Sequence, residues 1–218
     1  MSQYLPYQIL NNHFLIVANR TVFWEEERAL ILSDLHLGKS GHFRKNGIGI
    51  PQNIFKEDMQ CLMAAIQLFN PTQLIIAGDL FHSHSNKEHD FFIKWRKDIP
   101  RINFRLVTGN HDILKRAWYK EAGIEVHENS LTISNFNFTH DINQCAFTDN
   151  NYCFSGHIHP GIVMKGAGRQ RLQLPCFYFG KKYAVLPAFG KFTGTHPVQL
   201  QQEDAVFAIA ENSIIRIQ

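Results

Sequence analysis

The 218-residue sequence predicts an α/β fold built from two packed β-sheets with accompanying helices. Three observations carry this. Up to Gly123, apolar strand-like runs alternate with helical patterns, the order that builds layered α/β units. After Gly123 the texture changes to short β runs divided by turn residues, enough for a second sheet. No internal repeat or low-complexity linker interrupts the chain, so residues 1–218 are expected to form a single domain.

Phe14 to Ala18 and Thr21 to Trp24, separated by Asn19-Arg20, have the pattern of an opening hairpin. Ala29 to Ser33 is a continuous apolar run, expected as a buried strand, and it empties into Asp34-Leu35-His36. Leu37 to Pro51 carries too many glycines for a helix and is expected as a long functional loop. Asn53 to Phe69 has helical spacing (Ile54, Met59, Leu62, Met63, Ile66) and is stopped by Pro71. Gln73 to Ala77 is a second buried strand, leading into Gly78-Asp79-Leu80-Phe81-His82-Ser83. Asn86 to Lys97 is expected as a helix with Phe91, Phe92 and Trp95 inward, and His84 and His89 solvated. The strand Phe104 to Val107 ends at Gly109, and a helix is expected over Ile113 to Glu121. The β runs that follow are Glu125–His127, Leu131–Ser134, Phe136–Thr139, Tyr152–Ser155, Arg171–Phe179, Tyr183–Leu186, Ala205–Ala210 and Ser213–Ile217.

The bulk numbers narrow the function classes. A hydrophobic fraction of 44% supports a sizeable core, and charged residues are only 19%. A formal charge of +3 permits an anionic substrate without demanding one. No apolar run approaches the roughly 20 residues of a membrane span. Met1 to Pro6 has no basic start followed by an apolar stretch, so a cytoplasmic protein is expected. The four cysteines (Cys61, Cys145, Cys153, Cys176) are scattered without a C-x-x-C pair; Cys61 and Cys153 are expected as buried free thiols of a reducing compartment.

The informative residues stand where strands end. Asp34-x-His36 puts two ligand-type side chains on one side of an extended chain. Gly78-Asp79 adds a carboxylate able to bridge two ions, and Asn110 offers a neutral amide oxygen suited to a hard cation. His140 follows Thr139, and Gly156-His157-Ile158-His159 supplies two further imidazoles with i, i+2 spacing. Side chains beyond the carboxyl ends of strands in an open α/β sheet converge on one crevice, so residues from 34 to 159 can meet. Two Asp, one Asn and four His form a mixed O/N donor set without thiolate, which suits Mn²⁺, Fe, Zn²⁺ or Mg²⁺ and not a structural zinc. Seven donors are too many for one ion and natural for two. His111 can exchange a proton near neutral pH, and Asp112 can orient it or cap the following helix.

In that order, Asp34-x-His36, Gly78-Asp79, Gly109-Asn110-His111-Asp112, His140 and Gly156-His157-x-His159 resemble the calcineurin-like metallophosphoesterase superfamily. The resemblance implies a sandwich of two mixed sheets flanked by helices and a pair of divalent metal ions, Mn first among Zn, Fe and Mg. It implies one ion on Asp34, His36, Asp79 and His159, and a second on Asp79, Asn110, His140 and His157. His111 becomes the acid or substrate-positioning group, with Asp112 as its orienter, and a metal-bridging hydroxide the nucleophile. Thr139 stands where many members have glycine, which affects the turn more than the ligand.

The flanks add a narrower likeness. Asp34-Leu35-His36-Leu37-Gly38-Lys39 with His42-Phe43-Arg44, Ile48 to Pro51, Gly78 to Ser83, and Leu186-Pro187-Ala188-Phe189-Gly190-x-Phe192-Thr193-Gly194 are similar to the bacterial ligase-associated DNA-damage-response phosphoesterases of the PdeM type. That likeness implies phosphodiester cleavage in DNA and a functional association with a DNA ligase and a helicase. Lys39 and Arg44, with Lys45 beside them, are then candidates for phosphate contact, Phe43 for stacking on a base, and His82 for the mouth of the site. Lys181-Lys182, and Lys165 with Arg169 and Arg171, read as surface hairpins, and Leu186 to Gly194 as a tight turn between sheets. Two other readings stay open: a small-molecule (nucleotide or cyclic nucleotide) phosphodiesterase or phosphatase, and a non-catalytic interaction module.

Overall fold

In a computed structural model, the described residues are 3–39, 54–82 and 87–218. His42, Phe43, Arg44, Lys45, Ser83 and His84 lie outside them, as does most of the long loop expected after Leu37.

The first sheet has seven strands in chain order. They are β1 (Tyr4–Ile9), β2 (Asn12–Val17), β3 (Thr21–Trp24), β4 (Ala29–Leu32), β5 (Gln73–Ala77), β6 (Asn103–Val107) and β7 (Ile124–His127). β1 to β4 pair antiparallel, and β4 to β7 pair parallel. Every residue of β4 and β5 is buried, as expected of parallel strands covered on both faces. Helices α1 (Ile54–Phe69) and α2 (Lys87–Asp98) supply the long crossovers that parallel pairing demands, and a short helix, α3 (Arg116–Glu121), precedes β7.

The second sheet has nine strands: β8 (Ser130–Ile133), β9 (Phe136–Thr139), β10 (Tyr152–Ser155), β11 (Pro160–Lys165), β12 (Arg171–Phe179), β13 (Tyr183–Val185), β14 (His196–Pro197), β15 (Ala205–Ala210) and β16 (Ser213–Arg216). Its order is β14-β11-β12-β13-β10-β9-β8, with β15 paired to β12 and β16 to β15. The sheets bury an aromatic-rich core between them, in which Phe14, Trp24, Phe136, Phe154 and Phe177 are closed to solvent. A second core lies between the first sheet and its helices, around Leu62, Phe81, Phe92 and Phe104. Each face of the first sheet is therefore paid out into a different core, and its strand ends stay at one edge.

Several expectations are corrected. β1 went unread because Pro6 interrupts it; it is the edge strand, where proline is tolerated. β11 begins on Pro160-Gly161, which read as a turn. Helix α3 starts three residues later than expected, because Ile113 N–H turns back to His111 O and the capping Lys115 is extended. On α2 the buried stripe is His89, Phe92 and Arg96, at helical spacing, whereas Phe91 is 57% exposed. His89 is therefore not solvated: its ring stacks on Phe81 with centroids 4.5 Å apart. Arg96 turns its guanidinium onto the carbonyls of Ile99, Ile102 and Gly123 and over the Phe104 ring. Cys145 and Cys153 form a disulfide, with Cα atoms 6.3 Å apart, so Cys153 is not a free thiol. The 3-10 turn Ile142–Gln144 brings Cys145 back beside β10, a return invisible in the spacing alone. Cys61 and Cys176 are free.

The buried face of α1 carries Asp58 with Met59, Leu62, Ala65 and Ile66. Burial pushes the Asp58 carboxyl up to about 6 from 3.8, despite Lys191 and Arg20 nearby. A raised carboxyl pKa means that the stabilising contribution is complete below about pH 4 and is lost as pH climbs through 6, by about 3 kcal/mol in all. Asp58→Asn, which cannot ionise, is expected to gain stability relative to the parent between pH 4 and pH 8 in urea titrations. A constant difference between the two proteins across that range contradicts the assignment.

Candidate active site

The expected ligands follow the C-terminal ends of β4, β5, β6, β9 and β10. Hydrogen bonds tie these ends together: Asp34 N–H reaches Gly78 O at 3.0 Å, and His36 N–H reaches Asp79 O at 2.9 Å. Asp34, His36, Asp79, His157 and His159 all have positive φ, between 50° and 68°. Non-glycine residues rarely adopt that conformation, and each instance costs of order 1–3 kcal/mol. Five together at one edge mark a place where the fold spends stability to aim side chains.

The donor atoms form two groups joined by Asp79. In the first, Asp34 Oδ1 lies 3.2 Å from His159 Nε2, which lies 3.4 Å from His36 Nε2. In the second, His140 Nε2 lies 3.1 Å from His157 Nδ1. Asp79 Oδ2 stands 3.9 Å from His36 Nε2 and 3.5 Å from His140 Nε2. Asp34, Asp79 and His140 also fall within one 4.8 Å cluster. Asp34 and Asp79 are closed to water, whereas His157 is exposed. Asn110 is exposed at the rim, between two residues that bear on Asp79.

These residues fit a divalent cation. His140 Nδ1 lies 3.2 Å from Ala77 O and can donate to it, which turns Nε2 toward the Asp79 carboxylate at 3.5 Å; in the neutral ring that nitrogen is then available to a metal. Donors held by one ion at about 2.0–2.2 Å stand roughly 3–3.5 Å from one another, the spacing found here. Burial lowers the His36 imidazole to about 3, so it is neutral and its nitrogen available. Burial works to raise the Asp34 carboxyl, but His159, His140 and His36 outweigh it and hold it below the usual carboxylate range. Three glycines make room: a Cβ on Gly78 would meet His140 Nδ1 at 2.0 Å, on Gly109 Asp79 Oδ1 at 2.2 Å, and on Gly156 Asp34 Oδ2 at 2.4 Å.

A family model described as calcineurin-like phosphoesterase matches residues 27–171, more than half of the chain and the whole stretch that bears these donors. The chain belongs to this family. As a calcineurin-like phosphoesterase it is a metal-dependent hydrolase of phosphoric esters. Its fold is that of the Pseudomonas putida nuclease MPE, with a TM-score of 0.82 at 24% identity, covering 98% of this chain and 100% of that one. Yfce, a phosphoesterase from E. coli, aligns at a TM-score of 0.44 and 12% identity over 86% and 96% of the two chains. No curated protein is matched by sequence.

Around the phosphoesterase donors lies a second tier of groups. His111 donates its backbone N–H to Asp79 Oδ1 at 2.9 Å, which brings its ring to 5.4 Å from His36 and 4.2 Å from His82. His36, His82 and His111 offer nitrogens within 4.8 Å of one another. Asp112 does not sit on the His111 ring in the described bonds. Its two oxygens accept from Phe81 N–H at 3.1 Å and Gly109 N–H at 2.9 Å, so it knits the β5 and β6 loops. Burial, with Asp79 adding to it, pushes its carboxyl up to about 7. Lys39 is half-buried, with Asp34 and Asp79 as its charged neighbours, and burial lowers its ammonium. Arg44 lies outside the described residues.

Two contributors escaped the sequence reading. Glu88 Oε2 accepts from Gly38 N–H at 2.7 Å and fixes the turn after His36; nothing in the sequence pairs those positions. Phe81, fully buried against Phe92 and Trp118, anchors the segment carrying Asp79 and His82. Its signal was available, as an apolar residue within a polar strand-end motif.

Proposed function

We propose that this phosphoesterase is a dinuclear phosphodiesterase that cleaves DNA, an endonuclease serving DNA repair, with Mn²⁺ as its usual metal. The observation that carries the reading is the pair of donor groups sharing Asp79, with His111 and His82 beside them. Asp34, His36, Asp79 and His159 would hold one ion, and Asp79, Asn110, His140 and His157 the other. When bound, such a pair supplies an activated water and neutralises charge on the phosphoryl oxygens. The chain's own groups do the rest. His111, tethered through its amide to Asp79, holds a proton toward the leaving oxygen, and His82 shares that side of the site. Lys39 and Arg44 take neighbouring phosphates, and Asp112 keeps the loops of Gly109 and Phe81 in register.

DNA is favoured over a nucleotide by the likeness of the Asp34–Lys39 and Gly78–Ser83 segments to the ligase-associated subfamily, and by a whole-chain fold match to a protein described as a nuclease. The same likeness supports work alongside a DNA ligase and helicase. We propose a single-domain protein of the cytoplasm, a compartment in which a disulfide such as Cys145–Cys153 is unusual. The nucleotide or cyclic nucleotide phosphodiesterase reading keeps the same centre with a smaller substrate. The interaction-module reading is disfavoured because such relatives lose one or more of the ligand residues or the acid, and none is missing from this sequence.

Salt separates the first two. Cleavage that depends on two or three held phosphates is expected to fall by about 10- to 40-fold between about 50 and 200 mM salt, while hydrolysis of an aryl phosphodiester stays nearly flat. His111→Ala should reduce both reactions by about 10²–10⁴-fold. DNA cleavage indifferent to salt removes the DNA assignment, and activity kept in His111→Ala removes the acid.

A further inference from the structure

We infer that Arg20 is a positioning residue for the Asp34–His36 half of the centre, acting through the Leu186–Gly194 turn. The inference rests on the reading that Asp34 and His36 hold a metal ion.

Arg20 follows β2 in a tight turn, with φ of 69°. Its guanidinium crosses 168 residues of sequence to donate to Ala188 O at 3.1 Å, and to Gly190 O at 3.3 Å. The same turn presents its amides the other way. Phe189 N–H reaches Ser33 O at 2.9 Å and Gly190 N–H reaches Asp34 O at 3.1 Å. Ser33 and Ala188 also form an isolated parallel bridge. The turn is therefore a splint: one edge is held by Arg20, and the other edge holds the backbone of Ser33 and Asp34, just ahead of His36.

The splint lies where the backbone needs one. Asp34 and His36 both have positive φ, at 53° and 50°, and revert to ordinary conformations unless their surroundings over-determine them. The approach is close enough that a Cβ on Gly190 would come 2.5 Å from Leu35 O, which accounts for glycine at this position. Asp58 secures the far end by accepting from Lys191 N–H at 3.3 Å, and its charge faces Arg20. Both bonds leave one nitrogen, Nη1, whose two N–H groups have fixed directions in the guanidinium plane; a lysine ammonium on a flexible stem holds two such directions less firmly.

The test compares Arg20→Met and Arg20→Lys with the parent, each stripped of metal and titrated with Mn²⁺, reading the free ion by electron paramagnetic resonance. Outer-shell partners of ligands typically contribute 10–100-fold to metal affinity. Arg20→Met is expected to weaken one of two Mn²⁺ sites by about that factor and leave the other unchanged. Arg20→Lys should fall between, with thermal midpoints close to the parent, and saturating Mn²⁺ should restore kcat in both. Parent-like Mn²⁺ affinities in both variants overturn the inference. So does equal weakening of both sites together with a large fall in thermal midpoint, which marks a merely structural residue. If Arg20→Met does not fold, Arg20→Lys decides alone, and two parent-like sites in it overturn the inference. A parent that binds no Mn²⁺ defeats the metal reading itself, a different outcome from a parent that binds two.

Discussion

Asp79→Ala is expected to lower turnover of an aryl phosphodiester by about three orders of magnitude or more, beyond the 10–100-fold loss typical of an outer-shell partner. The size follows from three simultaneous losses. Asp79 Oδ2 lies between the two imidazole groups, 3.9 Å from His36 Nε2 and 3.5 Å from His140 Nε2. Its Oδ1 holds the His111 backbone at 2.9 Å, so the proton-carrying residue is released as well. Its negative charge helps keep the neighbouring Asp112 carboxyl raised, and without it Asp112 ionises at lower pH. The fold should survive, because alanine leaves the apolar strand β5 intact and removes a buried charge. Metal analysis with turnover checks this. Two bound ions and parent-like kcat in Asp79→Ala contradict it.

Gly78→Ala is expected to be nearly as damaging, by a route that touches no donor. Gly78 has φ of 88°, which an L side chain resists by about 1–2 kcal/mol. The added methyl would also lie 2.0 Å from His140 Nδ1 and 2.7 Å from His140 Cβ. The imidazole is pinned by its bond to Ala77 O, so it must abandon either that bond or its place in the cluster. The expected cost is about 2–4 kcal/mol of stability from strain and overpacking, with loss of the ion on the His140 and His157 side. Gly168→Ala is the control: its φ is 70°, but nothing lies within 4 Å of the added carbon. It should lose about 1–2 kcal/mol and keep full metal content. Equal behaviour of the two alanine variants in melting and metal stoichiometry contradicts the steric argument.

What could be read in the sequence follows from physics local enough to leave a pattern. β4 and β5 were legible because strands buried on both faces are written as apolar runs, and β6 because Phe104, Leu106 and Val107 keep the pattern across Arg105; the donors follow soon after each. The edge strand β1 was not, since Pro6 breaks the pattern without breaking an edge. His89 hid because a histidine on a charged helix reads as solvated, although its spacing to Phe92 and Arg96 placed it on the buried stripe. The left-handed backbone at five donors was invisible, because bonds such as Asp34 N–H to Gly78 O join parts of the chain far apart in sequence. The two backbone amides that bond Asp112 leave no trace in the sequence, because they depend on how the β5 and β6 loops meet. The same holds for Arg20, next to β3 in sequence and against the Gly190 turn in space.

The most direct test of the dinuclear centre is anomalous diffraction at the manganese edge from crystals of the Mn²⁺-loaded protein. The account expects two peaks about 3.5–4 Å apart, with the Asp79 carboxylate between them, one beside Asp34, His36 and His159 and the other beside His140 and His157. One peak, or peaks away from Asp79, would contradict it.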